Sequence, residues 1–244
     1  MSLSTEYDRW HQDRAARPDP ERSDENSPWY RLVREYLGPL RDKCILEIAC
    51  GRGGFAQFLA AQGAGVVGAD FSLAALQITQ QRITAQERGS VSVSLAQADA
   101  QAMPFSDAAF DVIISCETIE HLPQPRAALL EMARVCRPGG LLYLTTPNYF
   151  NLMGLYRVYD AMLGRPRRSE ESQPFDTVWN FPEVRRLVRQ AGWEILRTDG
   201  TVHQFPFPGR SPVRVFSLER NRALRRSLSI FALHQFVMAR KRAA

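Results

Sequence analysis

Apolar positions along this chain alternate between two rhythms. Short, nearly unbroken runs appear at 45–49 (ILEIA), 66–70 (VVGAD), 110–116 (FDVIISC), 141–146 (LLYLTT) and 193–196 (WEIL). Runs of this length bounded by turn residues predict buried strands. Val91, Val93 and Leu95 alternate with serines and predict a further strand ending near Asp99. Between the runs, apolar residues recur at helical spacing. Trp29, Leu32, Val33, Tyr36 and Leu37 follow Pro28 and stop at Gly38-Pro39. Phe55, Phe58 and Leu59 form a second set, and Leu73, Leu76 and Ile83 a third, with Ser72 as its N-cap. Leu129, Leu130, Ala133 and Val135 follow Pro123 and Pro125, and Val184, Leu187 and Val188 lie between Pro182 and Gly192.

Repeated strand-then-helix units predict an α/β fold, a doubly wound and mostly parallel sheet. A last strand is expected over 230–238. Its polar residues His234 and Gln235, with Lys241-Arg242 beyond, suit an edge position.

The rhythm fails in two places. Residues 1–27 are rich in Pro, Arg, Asp and Ser and read as a flexible arm, in which Tyr7, Trp10 and His11 stand out. Large aromatics in a polar arm have little to bury against, so Tyr7 and Trp10 are expected to close over a ligand. Residues 147–180 carry Tyr149, Phe150, Tyr156, Tyr159 and Trp179 around an arginine-rich loop. An insertion after the carboxyl end of a strand lies beside the ligand crevice of such a sheet, and this one reads as a substrate cap. Residues 28–244 then form one domain.

The turn after the first strand is Gly51-Arg52-Gly53-Gly54-Phe55-Ala56, and Asp70 ends the second strand 19 residues after Gly51. Glycines allow a left-handed backbone and close approach to a ligand. The pattern marks a nucleotide pocket but is shared by two cofactor classes. Glu47, inside the first strand, separates them. A carboxylate beside the turn disfavours an anionic pyrophosphate and favours a ligand bearing sulfonium and ammonium charges. Asp99-Ala100, at the end of the third strand, is placed to accept from an adenine amino group.

With LEIACGRGG, GAD, AQADA, FDVIISCETIEHL and RVCRPGGLLYLTTPN in order over roughly residues 43–147, the chain resembles the class I S-adenosylmethionine-dependent methyltransferases. Its His-containing turn is most similar to the branch of quinone-biosynthesis and secondary-metabolite methyltransferases. The resemblance implies a Rossmann-like sheet of seven strands with an antiparallel last strand, and S-adenosyl-L-methionine as cofactor. It implies roles residue by residue. Glu47 orders the glycine turn at the cofactor's amino-acid end. Ala49 and Gly51 lie against the methionine and ribose, and Gly53 keeps the turn tight. Asp70 grips the ribose hydroxyls. Phe71 flanks the adenine, with Ala100 and Gln101 opposite, and Asp99 bonds its amino group. The backbone at Cys116 approaches the ammonium. Ala49 departs from the family, which usually has glycine there.

His121 is the candidate general base for a hydroxyl acceptor, with Glu120 as its orienter, and a histidine titrating near neutrality suits that task. His11 and His203 are weaker candidates. The aromatic cap, including Tyr149, Tyr156 and Trp179, favours a small apolar or aromatic acceptor methylated at oxygen. A nitrogen or carbon acceptor, or a non-catalytic cofactor-binding scaffold, are the competing readings.

Composition narrows the partners. The 244 residues are 45% apolar and 23% charged, with a net charge of +5. No apolar run is long enough to span a bilayer and the first residues lack a signal-peptide core, so a cytoplasmic location is expected. Cys44, Cys50, Cys116 and Cys136 lack metal-ligand spacing and read as buried free thiols, and no metal site is expected. Arginines gather at 165–168, 185–189 and 210–226 without a nucleic-acid-binding module, and most read as solvated helix faces. Contact with an anionic membrane surface is a minor reading of the same arginines.

Overall fold

A computed structural model describes residues 3–15, 26–86, 93–148, 162, 177, 180–205 and 213–242. The strands are β1 (Cys44–Ile48), β2 (Gly65–Asp70), β3 (Val93–Gln97), β4 (Phe110–Cys116), β5 (Cys136–Pro147), β6 (Trp193–Thr201), the short β7 (Gln204–Phe205) and β8 (Val213–Arg214), and β9 (His234–Lys241). The helices are α1 (Leu3–Ala15), α2 (Pro28–Tyr36), α3 (Gly54–Ala61), α4 (Leu73–Gln86), α5 (Pro125–Val135), α6 (Phe181–Gln190), α7 (Phe216–Arg220) and α8 (Arg222–Ser227).

Seven strands form one sheet in the order β3-β2-β1-β4-β5-β9-β6. β1 to β5 pair in parallel, and β9 runs antiparallel to both β5 and β6. The Rossmann-like architecture is the expected one. Alternation along each strand builds two cores. Leu46, Ile48 and Ile113 face α5 and α6, while Ile45, Val112 and Ile114 face α2 and α3. The indole of Trp193 fills the first core and donates to the Leu129 carbonyl at 3.2 Å. Phe55 and Tyr30 stack in the second at 4.2 Å.

Several expectations need correction. β9 is interior, not an edge, and Ser229–Phe231 ahead of it is a 3-10 turn. Its polar residues are partnered instead: Gln235 reaches the Pro147 carbonyl, and Lys241 reaches the Cys136 carbonyl at 2.7 Å. The N-terminal arm contains a helix, α1, packed on α4. There Asp8 accepts from Ser72 Oγ at 2.6 Å and from the Ala74 amide at 3.1 Å, so it caps α4 from outside. Ser72 caps α4 itself through the Ala75 amide, as expected. Cys44 is exposed, unlike the other three cysteines. Leu73 and Leu130 face solvent. Tyr149, Tyr156 and Trp179 lie outside the described residues, as does most of the cap.

Candidate active site

The parallel strands end on one edge, where the β1 turn, the β2 tip and the β4 turn meet under α1. They enclose a cavity of about 250 Å³. Gly51 and Gly53 both hold left-handed φ, +55° and +72°. A Cβ on Gly53 would sit 2.2 Å from Thr79 Cγ2, so the turn closes tightly against α4 only with glycine. Thr79 Oγ1 in turn donates to the Gly51 carbonyl at 2.9 Å. Ala49 also has positive φ, 54°. Glycine would hold this conformation without the steric cost that alanine carries.

Asp70 is buried in the cavity wall. Its Oδ2 accepts from the Gly51 amide and its Oδ1 from the Ser72 amide, each at 2.9 Å. Burial outweighs these bonds and lifts its carboxyl to about 6. Phe71, Asp99, Ala100 and Gln101 share the wall. The Asp99 carboxylate is braced by the Gln101 amide at 2.8 Å. From α1 come Tyr7, Trp10, Leu3 and His11, so the two expected aromatics do lie over the cavity.

Three predicted residues are not in the wall. Glu47 is fully buried behind it, with Oε1 accepting from Tyr30 Oη at 3.0 Å. Gly53 supports the turn from below. Cys116 is buried, and burial pushes its thiol well above the usual range. The next residue, Glu117, does reach the cavity and was not singled out by sequence reasoning. Its φ of 50° is a strained value for a carboxylate side chain and turns it out of the strand. Glu117 Oε2 meets His234 Nδ1 at 2.7 Å, while Oε1 is buried with no hydrogen-bond partner. Only the position of Glu117 right after the β4 run signalled it. His234, from the far end of the chain, gave no signal.

His121 lies in the wall, with Nε2 3.5 Å from Glu120 Oε1. Glu120 is fully buried, and its other oxygen accepts from Thr146 Oγ1 at 2.7 Å. His203 is remote from the cavity and held by Glu219 and the Leu228 carbonyl. Among the described residues no group of three or more His, Cys, Asp and Glu could hold a metal ion.

The wall fits S-adenosylmethionine. It offers the carboxylates of Asp70, Asp99 and Glu117 and holds no lysine or arginine among the described residues. The unmatched Glu117 oxygen calls for a donor or a cation. A ligand with ribose hydroxyls, an amino group and a sulfonium supplies these, whereas a pyrophosphate would face three carboxylates with no lysine or arginine among the described residues to match it.

Comparison with known proteins agrees. Residues 46–144 match the methyltransferase domain family. A ubiquinone biosynthesis O-methyltransferase of Parvibaculum lavamentivorans is 33% identical over 177 residues, 71% of this chain and 68% of that protein. One from Thiobacillus denitrificans is 31% identical over 166 residues, covering 68% and 70%. A demethylmenaquinone methyltransferase of Clavibacter sepedonicus is 34% identical over 116 residues, 48% of this chain and 46%, about half, of that relative's length. An S-adenosylmethionine-dependent methyltransferase from Methanosarcina mazei shares the fold with a TM-score of 0.63 at 19% identity, over 88% of this chain and 99% of that one. By its glycine turn, its acidic cavity and these relatives, the chain belongs to the class I S-adenosylmethionine-dependent methyltransferases.

Proposed function

We propose that this protein methylates a small apolar or aromatic acceptor, at oxygen, with His121 as the group that takes the acceptor's proton. The observation that carries the reading is the mixed make-up of the cavity wall. Beside its carboxylates it holds His121 together with Leu3, Trp10, Leu122 and Pro123. Two relatives named as O-methyltransferases support oxygen as the acceptor atom.

The bound sulfonium supplies an activated methyl group. The chain supplies alignment and dryness, which an in-line displacement needs. Asp70, fixed by two amides, would accept from the ribose hydroxyls, and Asp99 from the adenine amino group. Glu117 would face the cationic end, held in place by His234. α1 lays Trp10 and Tyr7 over the cavity and excludes water. Glu120, locked by Thr146, fixes the imidazole of His121 toward the wall.

His121→Gln is expected to lower kcat by about 10²–10⁴-fold on a catechol-type acceptor, with unchanged S-adenosylhomocysteine affinity by calorimetry. A second reading has one observation in its favour. Glu120 is also tied through its carbonyl to the Thr177 amide at 2.7 Å, so the Glu120-His121 pair could serve only to hold the turn. A nitrogen or carbon acceptor would then suffice, and His121→Gln would keep most of its activity.

A further inference from the structure

Residues 213–231 invert the usual placement of apolar and polar side chains. In α8 the inward position belongs to Arg225, while Leu224 is 43% exposed. The turn that follows buries Ser229 and exposes Ile230 and Phe231. Phe216 on α7 is 62% exposed, and Val213 on β8 is exposed beside its exposed cross-strand partner Phe205. Single exposed apolar residues are ordinary, but here they come from consecutive elements that pack together.

The segment is anchored by polar groups, so its apolar side chains are not needed inward. The Arg225 guanidinium bonds Asp199 at 2.8 Å and Glu35 at 2.7 Å. Asn148, at the end of β5, donates to the carbonyls of Ile230 at 2.8 Å and Ala232 at 3.1 Å. Glu219, the one acidic residue of the segment, turns inward to Thr201 and His203. Arg220, Arg222 and Arg226 remain exposed. The outward face is therefore apolar with a cationic rim.

We propose that residues 213–231 form a docking surface for an anionic phospholipid bilayer. Phe216 and Phe231 would enter the acyl boundary while Arg220 and Arg226 meet lipid phosphates. A second copy of this chain fits poorly, because a symmetric contact would set these arginines against one another. Asn148 ties the patch to the strand edge where His234 meets Glu117 in the cavity wall, so the patch and the cavity share one edge of the sheet. That the docked protein takes a bilayer-dissolved acceptor rests on the proposed apolar acceptor, whereas the docking itself does not.

Cosedimentation of the full chain with vesicles tests this. Binding is expected to vesicles of equal parts phosphatidylcholine and phosphatidylglycerol, and far less to phosphatidylcholine alone. Arg220→Gln with Arg226→Gln should weaken it about 30-fold, and Phe216→Ser with Phe231→Ser at least about tenfold. Unchanged calorimetric affinity for S-adenosylhomocysteine shows that the variants fold. No binding to the anionic vesicles, or equal binding by all variants, overturns the proposal. So does a dimer in sedimentation velocity without lipid that the phenylalanine pair abolishes. Methyl transfer to a water-soluble catechol, assayed without vesicles, reports on the acceptor reading separately.

Discussion

The strand ends of β1, β2 and β4 and the C-terminal stretch from β6 to β9 use buried charge in opposite ways. Around the cavity, among the described residues, carboxylates are buried with no lysine or arginine beside them, only histidines. Asp70 has only main-chain amides, and one oxygen of Glu117 has no donor at all. At the other end Asp199 is buried but fully matched, by Arg225, by the Gly200 amide and by Tyr36 Oη. The first arrangement waits for a ligand and the second holds the chain together. Substitutions in the two regions should therefore separate affinity from stability.

The largest effect is expected at Arg225. Arg225→Ala leaves the fully buried Asp199 without its cation, while Glu35 keeps Arg222 at 3.6 Å, and should cost about 3–5 kcal/mol in denaturant unfolding. Arg225 bridges α2, α8 and β6 and does not approach the cavity, so cofactor affinity per folded molecule should stay within about threefold. A comparable loss of affinity would break the separation.

Asp70 comes next and reads out in the opposite sense. Asp70→Ala should weaken S-adenosylhomocysteine binding roughly a hundredfold or more, since hydrogen bonds to a charged acceptor are worth about 1.5–3 kcal/mol each. The pH dependence has a definite sign. Its folded carboxyl is raised to about 6, above the ordinary value of 3.8, so protonation favours the ligand-free fold. Its stability contribution is full below pH 3.8 and is lost as pH rises through about 6. Hydroxyl donors favour the ionised form, so ligand affinity should rise over the same window and level off above it. Calorimetry from acid to neutral pH checks this, and a flat profile would count against Asp70 as the ribose acceptor.

Asp8 probes the seam between α1 and the sheet. Asp8→Ala removes two bonds at the start of α4 and should weaken cofactor binding by about tenfold, roughly 1.4 kcal/mol, with little change in global unfolding. Faster amide exchange in α1 alone would show that the helix has loosened. Uniformly faster exchange would instead mean that α1 is part of the main cooperative unit.

How much of this was legible follows the same divide. The cavity half announced its place because its wall rests on backbone geometry, and glycines, a strand-terminal aspartate and apolar runs record geometry directly. Asp70 and Asp99 were placed at the strand ends that way, and His121 by the Glu-His turn after the fourth strand; all three line the cavity. Glu47 was singled out too, but it lies behind the wall against Tyr30, a place set by packing between β1 and α2 that no local pattern records. The C-terminal half misled because its periodicity is inverted. A helix that buries Arg225 and exposes Leu224 reads as a solvated basic stretch, and β9 with His234 and Gln235 reads as an edge. Both errors arise where long-range polar partners, Asp199 in one case and Glu117 in the other, replace apolar burial. Asp8 was invisible for the same reason, since its partners lie 64 and 66 residues away.

The smallest effect, at Ala49, tests whether backbone strain in the glycine turn is merely tolerated. An alanine at φ 54° carries about 1–2 kcal/mol of steric cost that glycine lacks. Glycine in turn loses more freedom on folding, about 0.5–1 kcal/mol. Ala49→Gly should therefore raise stability by up to about 1 kcal/mol in denaturant unfolding. Because Ala49 is part of the cavity wall, its methyl group is the only ligand-facing atom removed, and S-adenosylhomocysteine affinity should move less than about threefold. Destabilisation by glycine would show that the methyl packs well enough to offset the strain. A marked loss of affinity with unchanged stability would show instead that the strained alanine holds the turn in its binding shape, making the departure from glycine functional in this chain.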